Sequence, residues 1–316
     1  MFAFILRRFR SMLLVLFCVV TLTFFLMRLA PGGPFDRERK LPKATEEQLL
    51  RRFNLNGTLW QQYRTYLGVR KNEAGKFSGL LQGDLQPSTK YRNRTVNELL
   101  AQTLPVTMTL GALAFIIATV AGVALGCWAG VRHNTAVDTG SMMGALFAIS
   151  IPTFVTGPLL VMIFCLKLGW LPVGGWLSPQ SLILPAITLA GPYVAYIARL
   201  MRTSMLEVLG QDFIRTARAK GLSESRIIYK HAIKIAILPV VSFIGPLAAN
   251  LLTGSMVVEL IFNIPGAGGF FVNSIQNRDG FLLCGVVIVY CALLVLLNLV
   301  VDIAYTLLDR RIKLYE

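Results

Sequence analysis

Residues Phe213–Pro239 read FIRTARAKGLSESRIIYKHAIKIAILP, a basic, polar stretch set between hydrophobic runs long enough to cross a bilayer. A chain with few other charged loops that keeps such a stretch between spans presents a folded polar element on one side of a membrane. Its simplest use is a docking surface for a soluble partner. Gly221 is the pivot. The residues before it can form a helix, Gly221 suits the left-handed position that ends one, and Ser223 suits the cap of a second. In that second segment Ile227, His231 and Ile235 are spaced for one helical face, with Ile228 and Ala232 beside them.

The flanks decide the class. Hydrophobic residues make up 55% of the 316 and the mean hydropathy is +0.62, too apolar for an ordinary soluble domain. A spanning helix needs about 20 mostly apolar residues. Uncharged runs cover Ser11–Met27, Leu99–Val131, Ser141–Leu166, Leu168–Ala198, Ile235–Val258 and Gly280–Val301. The fourth contains a turn over Gly169–Ser181, so its helix is expected to start near Leu182. The expectation is an all-α polytopic membrane protein with six transmembrane helices. Its parts are a cytoplasmic N-terminus and first helix (1–30), an external subdomain (31–98), a five-helix core (99–308) carrying a cytoplasmic segment at 204–238, and a cytoplasmic tail (309–316).

Orientation follows from Lys and Arg in short loops. An even number of spans puts both termini on one side, with Arg7, Arg8, Arg10, Arg132, the eight basic residues from Arg199 to Lys234, and Arg310, Arg311 and Lys313. The opposite short loops are Gly169–Ser181, without charge, and Asn263–Asp279, with only Arg278 and Asp279 charged. Both termini and the Gly221 segment are therefore expected to face the cytoplasm. The stretch Pro31–Glu98 holds 13 basic and 7 acidic residues against the rule, but loops of that length translocate largely regardless of charge.

The motif RTARAKG, followed by Leu238-Pro239, resembles the cytoplasmic coupling motif of ATP-binding-cassette (ABC) importer permeases. The triplet is Arg215, Thr216, Ala217 and the glycine is Gly221. The first two triplet residues depart from the Glu-Ala of the general pattern, and the gap to Leu-Pro is longer than in sugar permeases. Both departures are usual in the dipeptide and oligopeptide branch. The start, ILRRFRSMLLVLFCVVTLTFFLMRLAPGGPF, and the later TGSMVVELIFNIPGAGGFFVNSIQNRD resemble the same branch, nearest to the first permease of oligopeptide systems. The resemblance implies a type I importer fold. It also implies a homologous second permease as heterodimer partner, two cytoplasmic ATP-binding subunits, an external substrate-binding protein and a peptide substrate. Dipeptides, glutathione and nickel complexes are alternative cargoes in the same branch.

Against an ATPase groove, Ala217, Leu222 and Ile227 are expected to supply apolar contacts, with Arg215, Arg218 and Lys220 steering toward an acidic rim. On the other side, NIPGAGGFF places Pro265, Gly266, Gly268 and Gly269 beside two phenylalanines. This loop is expected to enter a concave partner, the binding protein, or to plug the mouth of the pathway. Pro31–Glu98 has apolar residues at helical spacing in Asn54–Tyr66 and Asn97–Leu100 and a glycine-rich stretch at Gly68–Asp84. It reads as a small subdomain, either a structural cover or a contact for a delivery protein. Inside the bilayer Gly122, Gly126 and Gly130 recur at four, as do Gly140 and Gly144, a spacing that lets helix backbones approach closely.

The remaining features exclude more than they assign. The net charge of +15 is divided between two membrane faces and comes with no nucleic-acid-binding motif, so it reads as topology and attraction to anionic lipid. Leu29-Ala30-Pro31 offers no A-x-A cleavage site, so the first helix is expected to remain uncleaved. Cys18, Cys127, Cys165, Cys284 and Cys291 lie in expected spans without metal spacing, and no disulfide is expected. Glu259 and Asp302 sit near the ends of spans, Asn298 and Asp302 share a face, and both His133 and His231 fall in loops. A proton-coupled secondary transporter would need a buried carboxylate or histidine relay near the midplane, and none is evident. No H-E-x-x-H, G-x-S-x-G or G-x-x-x-x-G-K-[ST] occurs, so no enzyme activity and no cofactor is expected on this chain, and an ATPase must be a separate subunit.

Overall fold

A computed structural model describes residues 2–29, 42–72 and 75–308. The expected tail 309–316, with Arg310, Arg311 and Lys313, and the segment 31–41 lie outside the described residues. Helices dominate, in order α1 Phe2–Leu29, α2 Lys43–Arg52, α3 Leu59–Leu67, α4 Val96–Val131, α5 Ala136–Ser150, α6 Thr153–Leu160, α7 Ile183–Leu209, α8 Asp212–Ala219, α9 Glu224–Arg226, α10 Ile233–Ala236, α11 Leu238–Leu252, α12 Met256–Ile261, α13 Ala267–Gln276 and α14 Gly280–Leu308. Four stretches are continuous and apolar enough to cross a bilayer, Leu6–Leu29, Val96–Val131, Pro179–Leu209 and Gly280–Ile303. Two more are bent pairs that complete six crossings if each counts once: Ala136–Ser150 with Thr153–Lys167, at 108°, and Glu224–Ala236 with Leu238–Leu252, at 51°.

The bends correct the straight spans expected at Ser141–Leu166 and Ile235–Val258, and proline is the cause of both. Pro152 disfavours helical geometry in the residue before it, and Ile151 accordingly turns to extended backbone at φ −92°, ψ 120°. After Pro152 the chain runs through α6 and a π-helix at Val161–Lys167. In the fifth span Pro239 has no N–H to donate, and the helix breaks at Ile237, immediately before the Leu-Pro pair. The chain then leaves helix again at Thr253–Ser255, where Gly254 takes φ +83°. Glu259 therefore lies on the separate helix α12, not at the end of α11.

The contacts divide the chain into two units, with boundaries inside α4 and α14 and before α13. One holds the described residues up to Val106 with Gly266–Leu296. Its core joins α1, the expected external segment, the start of α4 and α14: Phe24, Phe53, Tyr63, Tyr66, Val96, Phe281 and Leu282 are all buried. The helix α3 starts with a reciprocal capping box between Thr58 and Gln61 and ends on left-handed Gly68. Asp279, fully buried, holds the unit together by accepting from the Ser88 hydroxyl, the Thr89 and Lys90 amides at 3.3 Å, and the Leu282 amide at 3.2 Å. It thus caps α14 and pins the turn at Ser88–Lys90. The loop expected at Asn263–Asp279 is instead largely the ten-residue helix α13, capped at Gly266. Ala267, Gly268 and Ser274 form its buried face, so Gly268 and Gly269 sit in a first helical turn rather than in a flexible tip.

The other unit, Thr107–Pro265 with the chain from Leu297, is built around α7. Helices α5, α6, α10, α11 and α12 all pack against it. Buried Ala186, Ala190, Ile197, Met201, Met205 and Val208 mark its core face. Helix α4 approaches closely along its glycines. A Cβ on Gly122 would lie 2.7 Å from Ile197 Cβ, one on Gly130 would lie 2.7 Å from Met205 Cβ, and one on Gly126 would run into the Ala198 carbonyl oxygen. Gly140 and Gly144 differ: outside their own helix turn, no described atom lies within 4 Å of a Cβ built there. Glu259 is 1% exposed, and it accepts from Thr107 Oγ1 at 2.7 Å.

Candidate functional site

Within Phe213–Pro239 the chain folds as an elbow of two short helices. Helix α8 has Lys220 as its C-cap, and Gly221 takes φ +74°. The Gly221 amide donates to Arg218 O at 2.9 Å and the Leu222 amide to Ala217 O at 3.3 Å. These are the two bonds of a Schellman motif, which satisfies carbonyls that the helix end would otherwise leave unpaired. The second arm starts at Ser223, whose backbone takes the extended N-cap geometry although its side chain makes no cap bond. Among the described residues no atom beyond its chain neighbours lies within 4 Å of a Cβ built on Gly221, so glycine is needed there for its backbone angle and not for space.

The second arm is wound differently from the expected helix. Ile227–Ala232 form a π-helix between α9 and α10, which adds a residue to the turn. The buried face becomes Ile227, Ala232 and Ala236, while Ile235 is 40% exposed. The expected stripe Ile227–His231–Ile235 is displaced accordingly.

Burial also re-sorts the residues assigned to the groove. Ile214, Ala217 and Ile227 are buried within the chain, where α8 packs on the π-helix. Ala217 and Ile227 therefore brace the elbow from inside and do not offer themselves to a partner. Leu222 is half-buried, and Arg215, Thr216, Arg218, Lys220 and Gly221 are exposed. Among the apolar groups on the open surface are two that sequence reasoning passed over, Phe213 at 37% and Tyr229 at 72% exposed. Phe213 was legible as the residue beside the buried Ile214; Tyr229 was not, because its direction depends on the π-turn. Arg218 bonds Glu224 across the elbow at 2.8 Å and 3.4 Å. That bond raises the Arg218 guanidinium above its ordinary pKa and lowers the Glu224 carboxyl. Arg215 is left to an exposed contact with Asp212 at 3.4 Å. The outer surface is thus basic with two aromatic rings.

A second cluster went unnoticed in the sequence. Asp138, 3% exposed at the start of α5, is gripped by the Arg202 guanidinium of α7 through Nε to Oδ1 and a 2.7 Å bond to Oδ2. His133 Nδ1 at 3.2 Å and the Asn134 amide at 3.0 Å complete the carboxylate's shell. The cluster ties the α4–α5 turn to the same helix that leads into the elbow. Residues 64 positions apart in sequence carry no local signal of this pairing. Of the residues expected at the opposite loop, Pro265 is exposed, Gly266 and Gly268 are buried and Gly269 is half-buried.

The model of the family described as "binding-protein-dependent transport system inner membrane component" matches residues 122–314. The oligopeptide transport system permease protein OppB of Haemophilus influenzae is 44% identical over 315 residues, 99% of this chain and 100% of its own. The chain belongs to this permease family. The dipeptide transport system permease protein DppB of Bacillus subtilis is 41% identical over 313 residues, 99% of this chain and 98% of that one. Among solved structures the methionine ABC transporter MetNI, in inward-facing conformations, superposes with a TM-score of 0.55 at 17% identity, covering 67% of this chain and 97% of its own. The permease therefore has the fold of ABC importer permeases and is a multi-pass protein of the inner membrane. The matched region contains the elbow, the Leu-Pro break and the α4–α7 glycine contacts.

Proposed function

We propose that this permease forms half of the translocation pathway of an ATP-driven oligopeptide importer. It pairs with a homologous second permease, receives peptide from an external binding protein, and is driven by two ATP-binding subunits seated on the Gly221 elbow. Both termini and the elbow lie in the cytoplasm. The observation that carries the reading is the elbow itself: a Schellman turn that fixes two arms at a set angle, with Arg215, Arg218, Lys220, Phe213 and Tyr229 facing outward. A soluble subunit that closes on nucleotide can grip such a lever, and α7 continues from it into the bilayer. Likeness to OppB along the whole chain supports oligopeptides as cargo. The DppB likeness favours dipeptides as the second reading.

The test is reconstitution of the permease with the products of neighbouring genes in proteoliposomes. Uptake of labelled tri- to hexapeptides that requires ATP and binding protein is expected. Uptake of dipeptides alone selects the second reading, and peptide uptake driven by a proton gradient without ATP overturns both.

A further inference from the structure

The open faces of the spans around α7 are not alike. In the middle of α4 and α5 the exposed side chains are apolar, Ile116 and Val120 on one and Met143 and Phe147 on the other. Such faces suit lipid. The open face shared by α7 and α11 carries different chemistry. Ser242, Pro246 and Asn250 recur at four along α11, all exposed. Across from them α7 presents Tyr193, Tyr196 and Arg199.

These side chains are organised. The Asn250 carboxamide donates to the Tyr193 hydroxyl at 2.9 Å. The Tyr196 ring stacks on Phe243 with centroids 4.3 Å apart and 29° between planes. The Arg199 guanidinium lies 5.6 Å over the Tyr196 ring. From the first residue of α7 to Tyr193 is about 15 Å of helix rise, about half the hydrocarbon thickness. An amide and phenol exposed to lipid at that depth would forfeit hydrogen bonds to water, so polar groups there face a water-filled cavity or a polar partner. Packing of a second permease would favour small residues that let helices approach. Two tyrosines, a phenylalanine, a proline and an arginine are the reverse.

We propose that the α7–α11 face is this permease's wall of the translocation pathway, and that Tyr193, Asn250, Tyr196 and Phe243 form a subsite for the amide backbone of a peptide in transit. The inference rests on the peptide-permease reading and deepens it. The Tyr193–Asn250 bond uses one of the carboxamide's four hydrogen-bonding positions, so the pair can still donate to a peptide carbonyl and accept from a peptide N–H. Every residue of a peptide carries those two groups. The stacked rings add a flat apolar surface against which side chains of any type can slide. Recognition through the backbone lets cargo of varied sequence pass, and weak single contacts let it leave.

The experiment uses the whole transporter in proteoliposomes, with the five native cysteines replaced. Cysteines at Ser242 and Asn250 are expected to react with a small charged methanethiosulfonate at least tenfold faster than one at Phe147, and the rate should fall when ATP and peptide-loaded binding protein drive turnover. Tyr193→Phe, which removes one hydroxyl, should lower kcat for uptake about fivefold, the equivalent of a hydrogen bond of ~1 kcal/mol, while KM and membrane level hold. Reaction no faster than at Phe147 would overturn the inference. So would cross-linking of Asn250→Cys to the second permease in every state, because the face would then be a subunit interface. Peptide uptake by the unaltered transporter reports separately on the function: if that fails, the peptide reading falls, whatever the labelling shows.

Discussion

Gly221 allows a clean separation of backbone angle from space. Its φ of +74° is in the left-handed region, where an L side chain costs about 1–2 kcal/mol. Because no described atom beyond its chain neighbours lies within 4 Å of a Cβ built there, that angle is the whole penalty set by the described residues. At about 1.4 kcal/mol per tenfold, Gly221→Ala should reduce the population of the correctly bent elbow roughly five- to thirtyfold relative to competing geometries, and β-branched Gly221→Val should do more. Gly221→Asn, which tolerates the left-handed region, should lose little. On the proposed topology the segment lies outside the bilayer, so membrane levels of all three variants should match the parent. The assay is ATP-driven uptake together with stimulation of hydrolysis by loaded binding protein. The expected order of activity is Gly, Asn, Ala, Val, with Val near zero through detached or unresponsive ATPase subunits. Normal uptake by Gly221→Val would refute the reasoning. Asn as inactive as Val would also refute it, since crowding against a partner and not φ would then be the constraint.

In the bilayer, Gly126→Val should lower the amount of folded permease, because its Cβ runs into the Ala198 carbonyl, whereas Gly140→Ala, with open space around it, should leave the level of this chain unchanged; immunoblots of membranes decide. Arg202→Ala should destabilise the purified complex by about 1.5–3 kcal/mol for each charge-assisted bond to buried Asp138 that it removes, read as a lower Tm, and Arg202→Lys should restore little because the contact is two-pronged. With native cysteines replaced, a cysteine at Gly79 should react with an impermeant thiol reagent in intact cells and one at Ser225 should not; the reverse pattern would put the elbow out of reach of an ATPase. Gly269→Val, at a half-buried helical position with no described atom outside its own helix turn within 4 Å of its Cβ, should slow transport while the complex stays assembled, and unchanged uptake would remove α13 from the transport cycle.

Several features were legible because they are local. Hydropathy marks spans through run length alone, and Gly221 followed by Ser223 announces a helix stop and restart through backbone preferences carried by single residues. The glycines at 122, 126 and 130 are a periodic signal, but only the fold shows that their partner is α7 and that Gly140 and Gly144 meet no other element among the described residues. The two prolines were visible, while the angles they produce were not: an uncharged run gives length without direction, so the 108° break at Pro152 reads as a straight span. Residue direction on the elbow's second arm needed the π-turn, which shifts the buried set to Ile227, Ala232 and Ala236 and leaves Tyr229 outside. The Asp138–Arg202 pair, the Thr107–Glu259 bond and the Tyr193–Asn250 contact join residues distant in sequence. The sequence by itself determined what each residue can do and where the chain must cross, because transfer of apolar runs from water and the φ preference of glycine are properties of short segments. The tertiary structure decided which polar groups satisfy one another and which remain open, because that depends on which helices pack together.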